Sequence, residues 1–262
     1  MYVSATKMQN NFGKYLKLCE KENVIITKNG KKRALLLYYP RNHDGYEAGE
    51  PVYDYGTSPK KRRSNRVTYR EFLNLTENNE ERYELIDGVV YAMPSPGFTH
   101  QSLVGELYSI FREYFKDNDS CAPYLSPFDV ELIRQPLKEE REVTEDDINV
   151  VEPDLIVLCD PEKDVNEKDR YKGTPEMAVE ILSPSTRSKD MVKKLDLYME
   201  SGMKEFWIID PKQIEVRVFR FEDYDLVEDR AVKAGSTGSG GGGKAESFLY
   251  PGLTVDVGRL LK

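Results

Sequence analysis

A carboxylate stands in the middle of one of the most apolar runs of this chain: Glu180, within MAVEIL at residues 177–182. A short apolar run like this reads as a buried core strand. An ionised carboxylate buried there is costly unless something compensates it. A second run, LIVL at 155–158, is opened by Asp154 directly after Pro153. The chain must therefore fold around a sheet core that accommodates two acids on strands expected to be neighbours. Two such carboxylates could share a divalent cation, magnesium first and manganese second, because hard cations choose oxygen ligands. That ion would polarise a phosphodiester and lower the pKa of an attacking water. The alternative, on spacing alone, is that both acids lie at strand ends and pair with Lys or Arg.

Further polar residues gather around this pair in the sequence. Lys194 lies on the helix expected after Glu180, with Lys189, Asp190 and Lys193 nearby. A lysine beside the metal could orient the nucleophile or stabilise charge developing on phosphate. The bland alternative is a surface helix with ordinary charge pairs. Glu84, in RYELIDG, is a candidate further ligand for metal or water, whereas Asp87 suits a turn. His100 opens an amphipathic helix and could contact phosphate or stand near the metal; capping or packing is the alternative. His100 and Asp190 are therefore candidates for supporting the site from behind.

The rest of the chain organises around this centre. From Val67 the pattern is α/β. TYREFLNL predicts a helix capped by Thr68, and RYELIDGVVYAMP predicts two strands turning at Asp87-Gly88. HQSLVGELYSIFREYF predicts an amphipathic helix with Leu103, Leu107, Ile110, Phe111 and Tyr114 on one side. FDVELI, PDLIVLCD, PEMAVEIL, EFWIID and QIEVRVFRF predict strands, and STRSKDMVKKLDLYMESG a helix ending at Gly202. Residues 136–150 are acidic and aperiodic and predict a mobile loop; AGSTGSGGGGKAES predicts a flexible glycine loop. YPGLTVDVGRLL closes the domain with a strand and a helical turn. Upstream, residues 1–40 form a separate small unit. YVSAT predicts a strand, a helix capped by Ser4 or Thr6 runs to about Lys21, and VIITKNGKKRALLLYY predicts a hairpin at Asn29-Gly30. Residues 41–66 predict a linker ending in a basic cluster.

Charge divides the chain in the same place. Residues 1–66 hold 14 basic and 6 acidic side chains, a balance of +8, and the remainder stands at −16. A basic arm on an acidic body suits an anionic partner such as nucleic acid, with a solvated basic tail as the alternative. No apolar run reaches bilayer length and the N-terminus lacks the apolar core of a signal peptide, so a cytoplasmic location without membrane attachment is expected. Cys19, Cys121 and Cys159 are odd in number and far apart, which predicts reduced, buried thiols.

The segments ELIDGVVYAMPSPGFTHQ, EPDLIVLCD and VEILSPSTRSKDMVKKLDLYMESGMKEFWIIDP, in this order, closely resemble the Uma-two family of restriction endonucleases, within the PD-(D/E)xK nuclease superfamily. The resemblance covers nearly all of residues 66–262. It implies an α/β, restriction-endonuclease-like mixed sheet flanked by helices, and magnesium-dependent phosphodiester cleavage. By position, Asp154 matches the Asp of PD, Glu180 the second acid and Glu84 an acid of the family's first segment. In the simplest superfamily pattern a lysine stands two residues after the second acid. Here that residue is Leu182, and Lys194 matches the family's helix-borne lysine. The N-terminal MYVSATKMQNNFGKYLKLCEKENVIITKNGKKRALLLYY is similar to Phd/YefM-type antitoxins. That similarity implies a small α+β unit for dimerisation and DNA binding, with Lys7, Lys14, Lys28, Lys31, Lys32 and Arg33 on phosphates. The linker and nuclease-like domain replace the antitoxin's toxin-wrapping tail, so no toxin partner is expected.

Three readings remain open on the sequence. The first is a metal-dependent DNA endonuclease, homodimeric through residues 1–40, in which tethering raises the local concentration of the nuclease at DNA. The second is a non-catalytic DNA-binding regulator that keeps a nuclease fold. The third is a protein-interaction module whose basic arm binds no DNA.

Overall fold

Strand propensity and apolar alternation along residues 155–221 build the centre of the molecule. The computed structural model describes residues 2–4, 7–8, 12–19, 24–28, 31–36, 66–77, 79, 81–135, 141–167, 169–183, 189–235 and 243–261. The chain divides into two units, Met1–Tyr46 and Glu47–Lys262.

In the first unit, β1 (Tyr2–Ser4) pairs parallel with β2 (Val24–Lys28), and β2 pairs antiparallel with β3 (Lys31–Leu36). Helix α1 (Phe12–Leu18) connects β1 to β2. Tyr15, Cys19 and Met8 pack with Val3 and Val24 in a small core. The expected strand, helix and hairpin arms are all present. The Asn29-Gly30 turn and the linker up to residue 65 lie outside the described residues.

The second unit opens with α2 (Tyr69–Glu77). The Thr68 hydroxyl accepts from Glu71 N at 3.2 Å, and the Glu71 carboxylate accepts from Thr68 N at 2.8 Å, a reciprocal cap. Strands β4 (Tyr83–Ile86) and β5 (Val89–Ala92) turn at Asp87 and Gly88, whose φ angles are +52° and +75°. That left-handed pair twists the hairpin as the flanking strands require. Helix α3 spans Phe98–Tyr114. β6 (Cys121–Leu125), β7 (Val130–Leu132), β8 (Asn149–Val151), β9 (Leu155–Cys159) and β10 (Met177–Ile181) follow. A π-type turn, Lys189–Lys194, runs directly into α4 (Leu195–Glu200). β11 (Glu205–Asp210), β12 (Glu215–Glu222), β13 (Asp225–Lys233), β14 (Lys244–Glu246), β15 (Thr254–Asp256) and α5 (Val257–Leu260) complete the domain.

A six-stranded mixed sheet has the order β13-β12-β11-β10-β9-β6, with β10 and β11 parallel and the other pairs antiparallel. A four-stranded antiparallel sheet has the order β5-β4-β8-β7. Because side chains alternate along a strand, Met177, Val179 and Ile181 face Leu103, Leu107 and Phe111 of α3 in the main core. Glu180 points to the opposite face.

Two expectations are corrected, and two strands join those expected. Of the stretch 136–150, the described residues 141–150 are not an aperiodic loop: Glu145–Asp147 is a 3-10 turn with a Thr144/Asp147 capping box, and β8 lies between β4 and β7. Three strand residues amid acidic neighbours were too few to show a period. β6 contains Pro123, which is tolerated because β6 is an edge strand. β13 was hidden by its charges, which alternate to the exposed side of an edge strand. Finally, Cys121 and Cys159 are disulfide-bonded rather than reduced. They are opposite one another on antiparallel β6 and β9, a proximity their separation of 38 residues conceals. Cys19 is buried and in no disulfide, as expected.

Candidate active site

The register of β9 against β10 pairs Leu155 with Val179, so Asp154, one residue earlier, falls beside Glu180. The Asp154 carboxylate is fixed by the sheet itself. Its Oδ2 accepts from the Ile181 backbone N–H at 2.7 Å and lies 3.1 Å from His100 Nε2. Burial lowers the His100 pKa, but the contact with Asp154 outweighs it and raises the imidazole above its ordinary value.

Glu180 Oε1 accepts from Lys194 Nζ at 2.6 Å and from the Tyr198 hydroxyl at 2.8 Å. Burial pushes the Glu180 pKa well up. Lys194 opposes this, whereas Asp190, Asp154 and Glu84 add to it. These hydrogen bonds engage one oxygen of each acid, Oδ2 of Asp154 and Oε1 of Glu180.

Lys194 is 1 % exposed. Besides Glu180, its Nζ lies 2.7 Å from Glu84 Oε1 and 3.6 Å from Asp190 Oδ1. Burial disfavours the ammonium, but Glu180 and Glu84 more than offset it, so Lys194 stays charged. The other oxygen of Glu84 binds Lys189. On an α-helix two residues five apart point roughly 140° away from each other. The i to i+5 closure of the π-type turn instead stacks Lys189 over Lys194, and both ammonium groups reach Glu84. Burial opposes ionisation of Glu84, yet Lys194 and Lys189 together bring its pKa down to about 2. Lys189 also lies 5.8 Å from the centroid of the Tyr91 ring.

These side chains surround a cleft of about 500 Å³. Asp154, Glu180, Asp190, Lys189, Lys194 and His100 line it, joined by Arg82 and Glu152. Glu152 is raised to about 7, chiefly by burial, although Arg82 pulls it down. Glu84 does not line the cleft; it is fully buried behind it, accepts from Glu152 N at 3.0 Å and anchors the two lysines. The structure thus brings together Asp154, Glu180, Lys194, His100 and Asp190 in the cleft wall, and places Glu84 as their support. In the sequence Lys189 stands out only as a neighbour of Lys194, and Tyr198 not at all. A lysine five residues from Lys194 and a tyrosine four residues after it carry no signal until the π-type turn is known.

The cluster contains five carboxylates (Glu84, Glu152, Asp154, Glu180 and Asp190) against three fixed cations (Arg82, Lys189 and Lys194). This excess of hard oxygen donors fits a divalent cation. Among the described residues no three His, Cys, Asp or Glu side chains form a ready-made cage.

Of the residues named in the first unit, Lys7 and Lys14 are exposed. Lys28, Lys31, Lys32 and Arg33 lie on β2 and β3, and their side chains are outside the described residues.

Residues 69–239 match the family model Uma2, described as "Putative restriction endonuclease". The chain belongs to the Uma2 family. All the cleft residues fall inside the matched span, while residues 1–68 lie outside it. An uncharacterized protein of Synechocystis, slr1290, is 26% identical over 159 residues, covering 60% of this chain and 76% of the relative. The fold is similar to the crystal structure of a protein from Anabaena variabilis described as a putative nuclease belonging to DUF820. The TM-score is 0.57 at 20% identity, over 74% of this chain and 97% of the other. Uma2 membership and this likeness agree with the restriction-endonuclease-like fold expected for residues 67–262. Among the described residues no helix is long and apolar enough to cross a membrane.

Proposed function

We propose that this Uma2 protein is a magnesium-dependent DNA endonuclease, with manganese as a substitute ion, tethered to an N-terminal DNA-binding and dimerisation module. The observation that carries the reading is the placement of Asp154 and Glu180 on adjacent strands in one cleft wall, with the Lys194 ammonium 2.6 Å from Glu180. Asp154 and Glu180 would hold the ion through the oxygens not taken by Ile181, His100, Lys194 and Tyr198. When bound, the ion supplies Lewis-acid polarisation of the phosphodiester and a more acidic water. Lys194 contributes a fixed positive charge beside the acid and disperses charge growing on the phosphate. Tyr198 and Lys194 hold Glu180 in one orientation, and Glu84 holds Lys194. The backbone N–H of Ile181 and His100 orient Asp154.

The N-terminal unit supplies what the acidic body lacks. Lys7, Lys14, Lys28, Lys31, Lys32 and Arg33 would meet phosphates and offset repulsion between DNA and a domain of charge −16. Two copies joined through this unit would present two clefts to one DNA. Sedimentation of the full chain at micromolar concentration is expected to give a dimer.

One observation favours a second reading, a non-catalytic DNA-binding regulator: Lys194 is so enclosed by Glu84 and Glu180 that the cluster already neutralises much of itself. Plasmid nicking and linearisation decide between them. Cleavage with magnesium or manganese, abolished by EDTA and by Asp154→Ala, is the expected result. Tight magnesium binding with no cleavage of any DNA form would favour the regulator, and Asp154→Ala cutting as fast as the parent would sink the proposed site.

A further inference from the structure

Arg82 is the cleft cation that the fold engages at one corner only. Lys194 and Lys189 are drawn onto Glu84, with side chains 2 % and 9 % exposed, and His100 sets Nε2 against Asp154. The Arg82 side chain also lines the cleft, but it is 31 % exposed. Its Nη1 donates to Glu152 Oε2 at 3.1 Å. Among the described residues no other group accepts from its side chain, and its Nε and Nη2 are not shut away from solvent. Arg134, in the same unit, shows how an arginine that serves the fold is used. Its Nε and Nη2 grip both oxygens of Asp87 at 3.1 and 3.0 Å, and Nη1 reaches Asp196 and Glu200 at 2.8 and 2.7 Å. The edge by which Arg134 grips a carboxylate is the edge that Arg82 keeps open. The position of Arg82 is fixed as well. Its carbonyl accepts from Met93 N at 2.9 Å, which extends the β4–β5 ladder by one bond. Glu152 ties it to the acid cluster, bonding Arg82 through its carboxylate and Glu84 through its N–H, two residues before Asp154.

We infer that Arg82 is a phosphate-binding residue of this site: its open Nε and Nη2 edge takes two oxygens of a substrate phosphodiester, while Glu152 holds the guanidinium in place. This inference rests on the nuclease reading and adds a substrate contact to it. Paired, coplanar N–H donors match two phosphate oxygens, and the guanidinium keeps its charge throughout the working pH range. The cleft wall carries more acids than cations, so a polyanion entering it needs a fixed donor besides the ion. Such a contact positions the backbone and reads no base, so it is indifferent to sequence.

The test measures binding of the full chain to a short DNA duplex with and without calcium, used in place of magnesium. Asp154→Ala shows how much of the affinity comes from the cleft. Parent, Arg82→Met, Arg82→Lys and the double variant Arg82→Met with Glu152→Gln are compared, with thermal melts to check each fold. On Arg82→Met the calcium-dependent affinity should fall about 10- to 100-fold, the range for a hydrogen-bonded contact to a charged group. The gap to the parent should narrow roughly 3-fold between 50 and 200 mM salt, because one phosphate contact contributes about 0.9 to the salt slope. Arg82→Lys should keep the parent's slope and lose part of the affinity, since an ammonium lacks the paired donors. The double variant should bind no better than Arg82→Met. Parent-like affinity of Arg82→Met overturns the inference, and so does a loss with the parent's salt slope. Recovery in the double variant overturns it too, by assigning the loss to a stranded Glu152. All three leave the nuclease reading intact. A parent whose binding responds neither to calcium nor to Asp154→Ala overturns both.

Discussion

Replacing Lys194 with methionine removes one charge and almost no volume, and the structure gives the consequence a size. The ammonium lies 2.6 Å from Glu180 and 2.7 Å from Glu84. At an effective dielectric of 20, each contact is worth about 6 kcal/mol of Coulomb attraction. Most of that is spent on desolvating the ions, and breaking one partner out of a buried ion cluster costs about 3–5 kcal/mol net. For a domain of this size each kcal/mol moves Tm by roughly 2–4 °C. Lys194→Met should therefore melt roughly 6–20 °C below the parent at neutral pH. Adding Glu180→Gln removes the stranded carboxylate and should recover most of the loss, because deleting both partners is far cheaper than deleting one. Calorimetry of the parent, the two single variants and the double variant closes the cycle. A Lys194→Met melt within about 2 °C of the parent would refute the claim that this lysine compensates the acids. A double variant no more stable than Lys194→Met would show instead that the loss comes from the packing of the lysine's methylenes.

Two further outcomes follow from the same geometry. Glu84 has a folded pKa of about 2 against an ordinary 4.5. A depressed carboxylate contributes stability that is fully present above about 4.5 and is lost as pH falls through about 2, with a ceiling near 3 kcal/mol. Glu84→Gln should lower Tm at neutral pH, yet lose less Tm than the parent between pH 5 and 2; parallel curves would rule this out. Glu205 is fully buried and accepts from Trp207 Nε1 at 2.5 Å, Phe248 N at 2.7 Å and Leu249 N at 2.8 Å. Glu205→Ala leaves Trp207 Nε1 and Phe248 N without this acceptor, while Leu249 N keeps Ser247 Oγ at 3.1 Å, and should cost about 2 kcal/mol or more, with a red shift of emission from the sole tryptophan; unchanged Tm and emission would contradict it.

Several features were legible because a local rule fixed them. Asp87-Gly88 demanded positive φ, Thr68 and Glu71 stood at capping distance, and the apolar stripe of α3 matched the helical period. Asp154 and Glu180 announced themselves as acids attached to apolar runs. What stayed hidden depended on contacts between distant segments. The Cys121–Cys159 pair exists only because β6 lies against β9. β8 is too short to show a period, and β13 hides its buried positions among charges on an edge. Glu84 reads in the sequence as a possible ligand because it is acidic and sits on a strand. Its position behind the cleft comes from the β4–β8 pairing, which sets its carboxylate against Glu152 N.

The lysine shows most clearly what a linear pattern misses. Two residues after Glu180, on the same face of the strand, stands Leu182, and it is buried. The proposed chemistry calls for a positive charge near the Glu180 carboxylate and is indifferent to which segment supplies it. Here the chain delivers that charge from the far side, through a π-type turn that brings Lys189 and Lys194 onto Glu84 together. A cation this deep is tolerable only when several acids surround it, and the same acids are what a divalent ion would require. Stability and the proposed chemistry therefore draw on one set of contacts. Loss of cleavage in a Lys194 or Glu84 variant identifies a chemical role only when the fold is shown to be intact at the assay temperature. Asp154, held by a backbone N–H and a partly exposed histidine and outside the lysine–Glu84 cluster, is the position where chemistry separates most cleanly from folding.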